Sequence, residues 1–214
     1  MRLIILLLLA GFAQLTYAQS SPQDRQNIYV FNQLSGVEFP TLELEDTAGN
    51  IISTASLKGK TIYVDFWFTA CPPCVREIPF AKSLQKYFEA DTNIVFLNIC
   101  IENIDRKTTW KKMIRQKNMG GLHLFYARNR PQKVNLLRQY KVNNFPTYML
   151  VNSGFRIVGY NAPAPSEKFW VQWAISRAAN NVSLAEAYRQ TFEKPFKNYI
   201  STNHNTIDSL QISL

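Results

Sequence analysis

Residues 62–79, IYVDFWFTACPPCVREIP, hold an apolar β-type run, two cysteines separated by two residues, and the start of a helix. From Ile62 to Phe68 every residue is β-branched or aromatic except Asp65, the pattern of a strand buried on both faces. After Cys74 the apolar positions Val75, Ile78, Ala81, Leu84 and Phe88 form the stripe of a helix packed on a sheet. Cys71 and Cys74 therefore stand where a strand hands over to a helix, and the rest of the chain reads as their support.

Residues three apart on a helix share a face, so the two sulfurs can close into a disulfide, while Cys71 lies among backbone N–H groups that favour an anion. Thiols so placed titrate as low as roughly 3.5–7.5, against about 8.5 for a free cysteine, and such pairs exchange disulfides through mixed disulfides. Cys71 is expected to be the exposed, low-pKa nucleophile and Cys74, one turn inside, the resolving thiol. Pro72 and Pro73 suit the first turn, where a missing N–H costs nothing, and they stiffen the pair. Pro79 lies deeper and is expected to kink the helix.

At 214 residues the chain is long enough for one cored domain with extensions. Met1-Arg2, the apolar run Leu3 to Leu15 and Thr16-Tyr17-Ala18 describe a secretory signal cut after Ala18. That run is short for a membrane span of about 20 residues, and an uncleaved N-terminal anchor is the alternative. In an exported chain with three cysteines, a CxxC is expected to cycle as a disulfide rather than hold zinc. The sequence has no second CxxC and no His-x-His to complete a tetrahedral site, and Val75 stands where haem attachment needs His. No metal and no organic cofactor is expected. The formal charge is +9, much of it in Arg106, Lys107, Lys111, Lys112, Arg115 and Lys117. That stretch reads as a solvated helix face with Trp110, Met113 and Ile114 turned inward; a docking patch for acidic partners is the alternative. Nucleic acid is not an expected partner outside the cell.

Residues 19–36 are polar, a loose lead-in. Thr41 to Glu45 alternates as a half-buried strand, Ala48-Gly49 turns, and Ile51 to Ser53 returns, a β-hairpin ahead of the core. After a helix from Cys74 to about Glu89, Asn93 to Ile101 (NIVFLNICI) is a second buried strand. Strand, helix, strand implies a parallel pair with a right-handed crossover. Cys100 lies in that strand and reads as a small core hydrophobe. A helix over about 105–118, stopped by Gly120-Gly121, and a short strand Leu122 to Tyr126 follow, then a helix starting at Pro131. A hairpin of Pro146 to Val151 and Phe155 to Tyr160 turns at Asn152-Ser153-Gly154. A closing helix from Ser166 buries Phe169, Trp170, Trp173 and Ile175. Ser183 to about Tyr199 has helical period broken by Pro195, an accessory helix.

These motifs resemble the thioredoxin superfamily, and within it the secreted TlpA/ResA/DsbE-like thiol–disulfide oxidoreductases. The resemblance covers roughly Val37 to Asn180. It rests on VDFW ahead of CPPC, on Glu77 three and Pro79 five residues after the second cysteine, and on Phe145-Pro146-Thr147. It implies an α/β, thioredoxin-like fold: a central mixed sheet flanked by helices, with an N-terminal β-hairpin and a C-terminal helical extension. The expected division is a signal peptide over 1–18, a flexible lead-in over 19–36, the thioredoxin-like domain over 37–180 and an extension, partly helical, over 181–214. Ala70 departs from the family, which usually has Trp just before the first cysteine.

An acid in a buried strand is costly without a partner or a task, and burial raises its pKa. A salt-bridged structural acid would satisfy that requirement at Asp65. The resemblance implies instead the buried acid below the cysteine pair, general base for Cys74. Glu77 is by pattern an ordinary helix Glu, and by resemblance an acid that tunes the cysteine pKa values. Neighbouring carboxylates raise thiol pKa values and couple the titrations. Pro146 stands before a buried strand, where proline cannot donate to a ladder, and it matches the superfamily's cis-proline. Phe145 and Thr147 would flank it on a substrate-docking surface shared with Pro72 and Pro73. His123 and His204 are assigned no chemistry.

The expected protein is an exported, monomeric thiol–disulfide oxidoreductase of the periplasm or cell envelope. It would reduce specific protein disulfides through Cys71 and Cys74 and be regenerated by a membrane electron donor. By resemblance the pathway is cytochrome c maturation, with general envelope disulfide reduction fitting equally well. Two rivals are a thiol peroxidase of the peroxiredoxin type and a copper-handling protein of the same fold. Against the first, Val64 and Phe68 occupy the positions of its Pro and Thr/Ser. Against the second, His123 is poorly placed as a third ligand beside Cys71 and Cys74.

Overall fold

A computed structural model of the chain describes residues 34–131 and 133–188. The expected signal peptide, the lead-in up to residue 33, and the extension past residue 188, with Pro195 and His204, lie outside the described residues.

Strands β1 (Glu43–Asp46) and β2 (Ile51–Ser53) form the N-terminal hairpin, and β3 (Thr61–Trp67) leads into helix α1 (Pro72–Tyr87). Then come β4 (Ile94–Glu102), α2 (Lys107–Lys117), β5 (Leu122–Ala127) and the one-turn α3 (Leu136–Gln139). Strands β6 (Thr147–Val151) and β7 (Ile157–Tyr160) precede α4 (Phe169–Ala179) and α5 (Leu184–Tyr188). The strands make one mixed sheet in the order β2-β1-β5-β4-β3-β6-β7. β3, β4 and β5 run parallel; β6 is antiparallel to β3, β7 to β6, and β1 to β5. The expected α/β architecture, hairpin included, is present.

β3 has a neighbour on each side and layers above and below, which is why its sequence is apolar almost throughout. Ile62, Val64 and Phe66 point to one face, among Phe39, Leu136 and Phe155, and all three are sealed from solvent. Burying each contributes roughly 1.5–3 kcal/mol. Tyr63 and Trp67 point to the other face, where α1, α2 and α4 pack. Asp65 lies between them on that helical face, because side chains alternate along a strand.

Several boundaries move for identifiable reasons. β1 begins at Glu43 rather than Thr41, because the buried Thr54 hydroxyl accepts the Leu42 N–H (2.9 Å) and donates to the Pro40 carbonyl (2.7 Å). α2 stops at Lys117, ahead of the glycine pair: Asn118 turns left-handed (φ 48°) and the Met119 N–H caps the Ile114 carbonyl at 3.0 Å. No helix starts at Pro131; the one turn present opens at Asn135, whose side chain accepts the Arg138 N–H at 3.0 Å. Pro79 cannot donate to the Val75 carbonyl, yet α1 continues through it to Tyr87. On α2, Trp110 and Ile114 are buried as expected, while Lys107 and Lys111 both pair with Glu45 of β1.

Candidate active site

Cys71 is the N-cap of α1 and is joined to Cys74 by a disulfide, with the Cα atoms 5.3 Å apart. The Cys74 N–H donates to Cys71 Sγ at 3.2 Å, so a helix N-terminal donor is already aimed at that sulfur. Pro72 and Pro73 fill the first two helical positions and are exposed. The expectation of an exposed Cys71 is corrected: in this oxidised form Cys71 is 2% and Cys74 5% exposed. They are seated in a cluster with Trp67, Cys100, Trp110 and Phe125, which Phe68 and Phe145 flank. Trp67, Cys100 and Phe125 are register partners on β3, β4 and β5, a row of the helical face. Cys100 is sealed from solvent as a core residue, and burial, reinforced by the Glu102 and Asp65 charges, pushes its thiol pKa far up.

Another row of the same face reads Tyr148, Asp65, Asn98, His123 across β6, β3, β4 and β5. Asp65 keeps some surface, but its Oδ1 is sealed from solvent and has no hydrogen-bond partner. Among the described residues no cation pairs with it, which removes the salt-bridged reading. Burial, helped by the charge of Glu77, pushes its carboxyl up to about 7. The half-buried Glu77 carboxylate accepts from Ser166, from the backbone N–H at 2.9 Å and from Oγ at 2.8 Å. That contact ties α1 to the short turn Pro165–Glu167 in front of α4. His123 is buried, with Nε2 3.3 Å from the Met119 carbonyl, and burial lowers its pKa.

The Phe145–Pro146 bond is cis. Phe145 is half-buried and meets Phe68 edge to face, with ring centroids 5.2 Å apart. Thr147 does not flank this surface as expected. It is buried as the first residue of β6, its backbone in register with Phe66 and its hydroxyl turned back to the Asn144 carbonyl. A single residue, Ala70, separates Cys71 from Thr69, and it is exposed.

A family model described as Redoxin matches residues 34–168, from the first described residue to the last residue before α4. The chain belongs to the Redoxin family. Among redoxin relatives, the thiol-disulfide oxidoreductase ResA of Bacillus thuringiensis (strain Al Hakam) is 30% identical over 158 residues, covering 73% of this chain and 83% of that protein. Among solved structures, the thioredoxin domain of a thiol-disulfide oxidoreductase from Bacteroides vulgatus is 26% identical, with a TM-score of 0.54 over 64% of this chain and 97% of that one. A thiol:disulfide interchange protein from a Bacteroides species is 25% identical, with a TM-score of 0.56 over 69% and 93%. The redoxin fold of this chain is thus thioredoxin-like, and its family place is among ResA-like proteins of the thioredoxin superfamily.

Within this redoxin, sequence reasoning missed three supports of the site. Glu102, buried at the end of β4, accepts from Thr69 twice, from Oγ1 at 2.8 Å and from N at 3.3 Å, and so pins the loop that carries Cys71. Its signal was available: it is an acid that closes an apolar run, as Asp65 interrupts one. Ser166, the partner of Glu77, carried none, because the pairing spans 89 residues. The third support is the Gly120 carbonyl, which accepts from the side-chain amides of Gln85 on α1 (3.2 Å) and Asn98 on β4 (3.3 Å).

Proposed function

We propose that this thiol–disulfide oxidoreductase works as an exported reductase of specific protein disulfides. The observation that carries the reading is the Cys71–Cys74 disulfide at the N-terminus of α1, seated on the same face of the sheet as Asp65, whose sealed Oδ1 has no hydrogen-bond partner. In the reduced protein the Cys71 thiolate, held by the Cys74 N–H, attacks one sulfur of a substrate disulfide. The Cys71–substrate bond forms and the first substrate thiolate leaves. Asp65 then takes the proton of the Cys74 thiol, and the Cys74 thiolate attacks Cys71 Sγ. The protein disulfide closes, the second substrate thiolate leaves, and two electrons have passed from the pair to the substrate.

Glu77 keeps a negative charge beside Asp65, which favours the protonated acid and hence proton uptake from Cys74. Phe145 and Pro146, with Pro72 and Pro73, form the surface on which the substrate segment lies, and Phe68 stands in for the aromatic absent at Ala70. Cytochrome c maturation is the pathway that the likeness to ResA favours, with re-reduction by a membrane donor. The apolar N-terminal run supports export. Among the described residues no helix is long and apolar enough to cross a membrane.

Trapping tests this directly. Cys74→Ala should hold a mixed disulfide between Cys71 and a protein substrate, visible on a non-reducing gel and released by reductant, whereas Cys71→Ala should trap nothing. Equal trapping by both variants would contradict the assignment of roles.

A further inference from the structure

Asp65 lies at the bottom of a cleft between α1 and the turn that joins α2 to β5. Asp65 and Asn98 form its floor, Glu77, Ala81 and Gln85 of α1 one wall, and Gly120 the other. Inside its open rim the enclosed space is about 10 Å³, close to the roughly 10–15 Å³ that a single water requires. Neither Cys71 nor Cys74 lines it. Its wall on α1 runs from one to three turns beyond Cys74, so it opens along the flank of the helix, away from the docking surface at Phe145 and Pro72.

The cleft is built rather than incidental. Gln85 and Asn98, from a helix and a strand, converge on the single carbonyl of Gly120 and hold the far wall in place. The turn passes so close to the sheet that a Cβ on Gly121 (φ +87°) would sit 2.7 Å from the Phe96 carbonyl and 2.8 Å from Asn98 Nδ2. The one polar atom on the floor that lacks a partner is Asp65 Oδ1.

We propose that this cleft is the route by which Asp65 exchanges its proton with bulk water, a rear access that stays open while a protein partner covers the Cys71–Cys74 pair. The inference rests on the reading of Asp65 as base for Cys74. After Cys74–SH gives its proton to the Asp65 carboxylate, the carboxylic acid returns it to water in the cleft, and the site is ready without release of the partner. Gln85 and Asn98 are positioning residues of this route. The charged and titratable groups around Asp65 are Glu77 and Lys82 of α1, which line the cleft, Tyr63 of its own strand, Tyr148 of β6 and Cys100 of β4.

Graded plugs test it. Ala81→Val and Ala81→Leu fill the cleft from α1, and Ala81→Ser serves as a control of near-native size; cooperative unfolding verifies that each folds. The rate of reduction of a protein disulfide should fall with plug volume, by about 3–10-fold for A81L, a part of the 10²–10⁴ that a positioned base supplies. With hydroxyethyl disulfide, too small to cover the front of the site, the fall should be under twofold. The Asp65 carboxyl titration, followed by carbon NMR, should move upward with plug volume as water is withdrawn. In an Asp65→Asn background the plugs should change nothing further. Slowing by A81L that is equal for both substrates, or that persists in D65N, overturns the route, as does an A81L without effect where D65N is slow. A D65N with wild-type rate and pH profile overturns the reading of Asp65 itself, and the route with it.

Discussion

Ser166 donates to both oxygens of Glu77, from its backbone N–H to Oε2 at 2.9 Å and from its hydroxyl to Oε1 at 2.8 Å. Through this pair the turn before α4 holds the acid of α1 in one orientation beside Asp65. Ser166→Ala removes one of the two bonds and leaves the other, since the backbone donor stays. A hydrogen bond to a charged group is worth about 1.5–3 kcal/mol when buried, and this one is half-exposed, so a loss of about 1 kcal/mol is expected in urea denaturation. The pH profile of disulfide reduction should also shift, as Glu77 gains freedom to turn from Asp65. An unchanged midpoint and profile would remove Ser166 from the site.

Thr69 and Glu102 form the second such clamp, on the other side of the cysteines. Thr69→Val keeps the shape but leaves a buried carboxylate without its best donor, at a cost of about 1–3 kcal/mol. Thr69→Ser should restore most of it. Stability measured by denaturation would settle the point: a valine variant within about 0.3 kcal/mol of wild type contradicts the clamp.

Asp65 titrates near 7 in the folded protein against a usual 3.8. The folded state therefore holds a proton that the unfolded chain has lost between those values, and stability from this group is fully present below about pH 4. It declines as the pH rises, and the loss is complete above about pH 7. Asp65→Asn should flatten this slope and leave the oxidised protein more stable than wild type at pH 8, by roughly 1–4 kcal/mol at about 1.4 kcal/mol per unit. Thermal unfolding of the two proteins across pH 4–8 measures it; parallel curves would contradict a raised carboxyl.

Cys100 is sealed in the row below the disulfide and its thiol is pushed up by burial. Iodoacetamide should therefore alkylate Cys71 in the reduced, folded protein and spare Cys100 until the chain is unfolded. Peptide mass mapping after brief labelling decides, and modification of Cys100 at a rate comparable to Cys71 would show that this row opens.

Much of this site was legible because it is local in the chain. The strand that ends at Trp67, the cap at Cys71 and the helix after it occupy one stretch, and period and capping chemistry suffice to read them. The buried acid at Asp65 and the proline at Pro146 were visible as exceptions within apolar runs, which burial penalises unless something compensates. What stayed hidden is pairing across distance. That Asn98 shares a register row with Asp65, that Gly120 receives two amides, and that Ser166 holds Glu77 depend on strand order and helix packing. Thr147 was misjudged for a related reason: its place beside Pro146 in the chain says nothing of the hydroxyl turning inward to Asn144. The exposure of Cys71 was inferred from chemistry, whereas its burial follows from the cluster around Trp67 and Trp110, far apart in sequence.

The reduction potential of the Cys71–Cys74 pair tests the reductase most directly. Oxidised and reduced protein would be equilibrated in graded thiol buffers and the free thiol at Cys71 read by alkylation. A reductase should lie near or below the potential of thioredoxin, about −270 mV. A value close to that of DsbA, about −120 mV, would make this chain an oxidant and contradict the direction of electron flow proposed here.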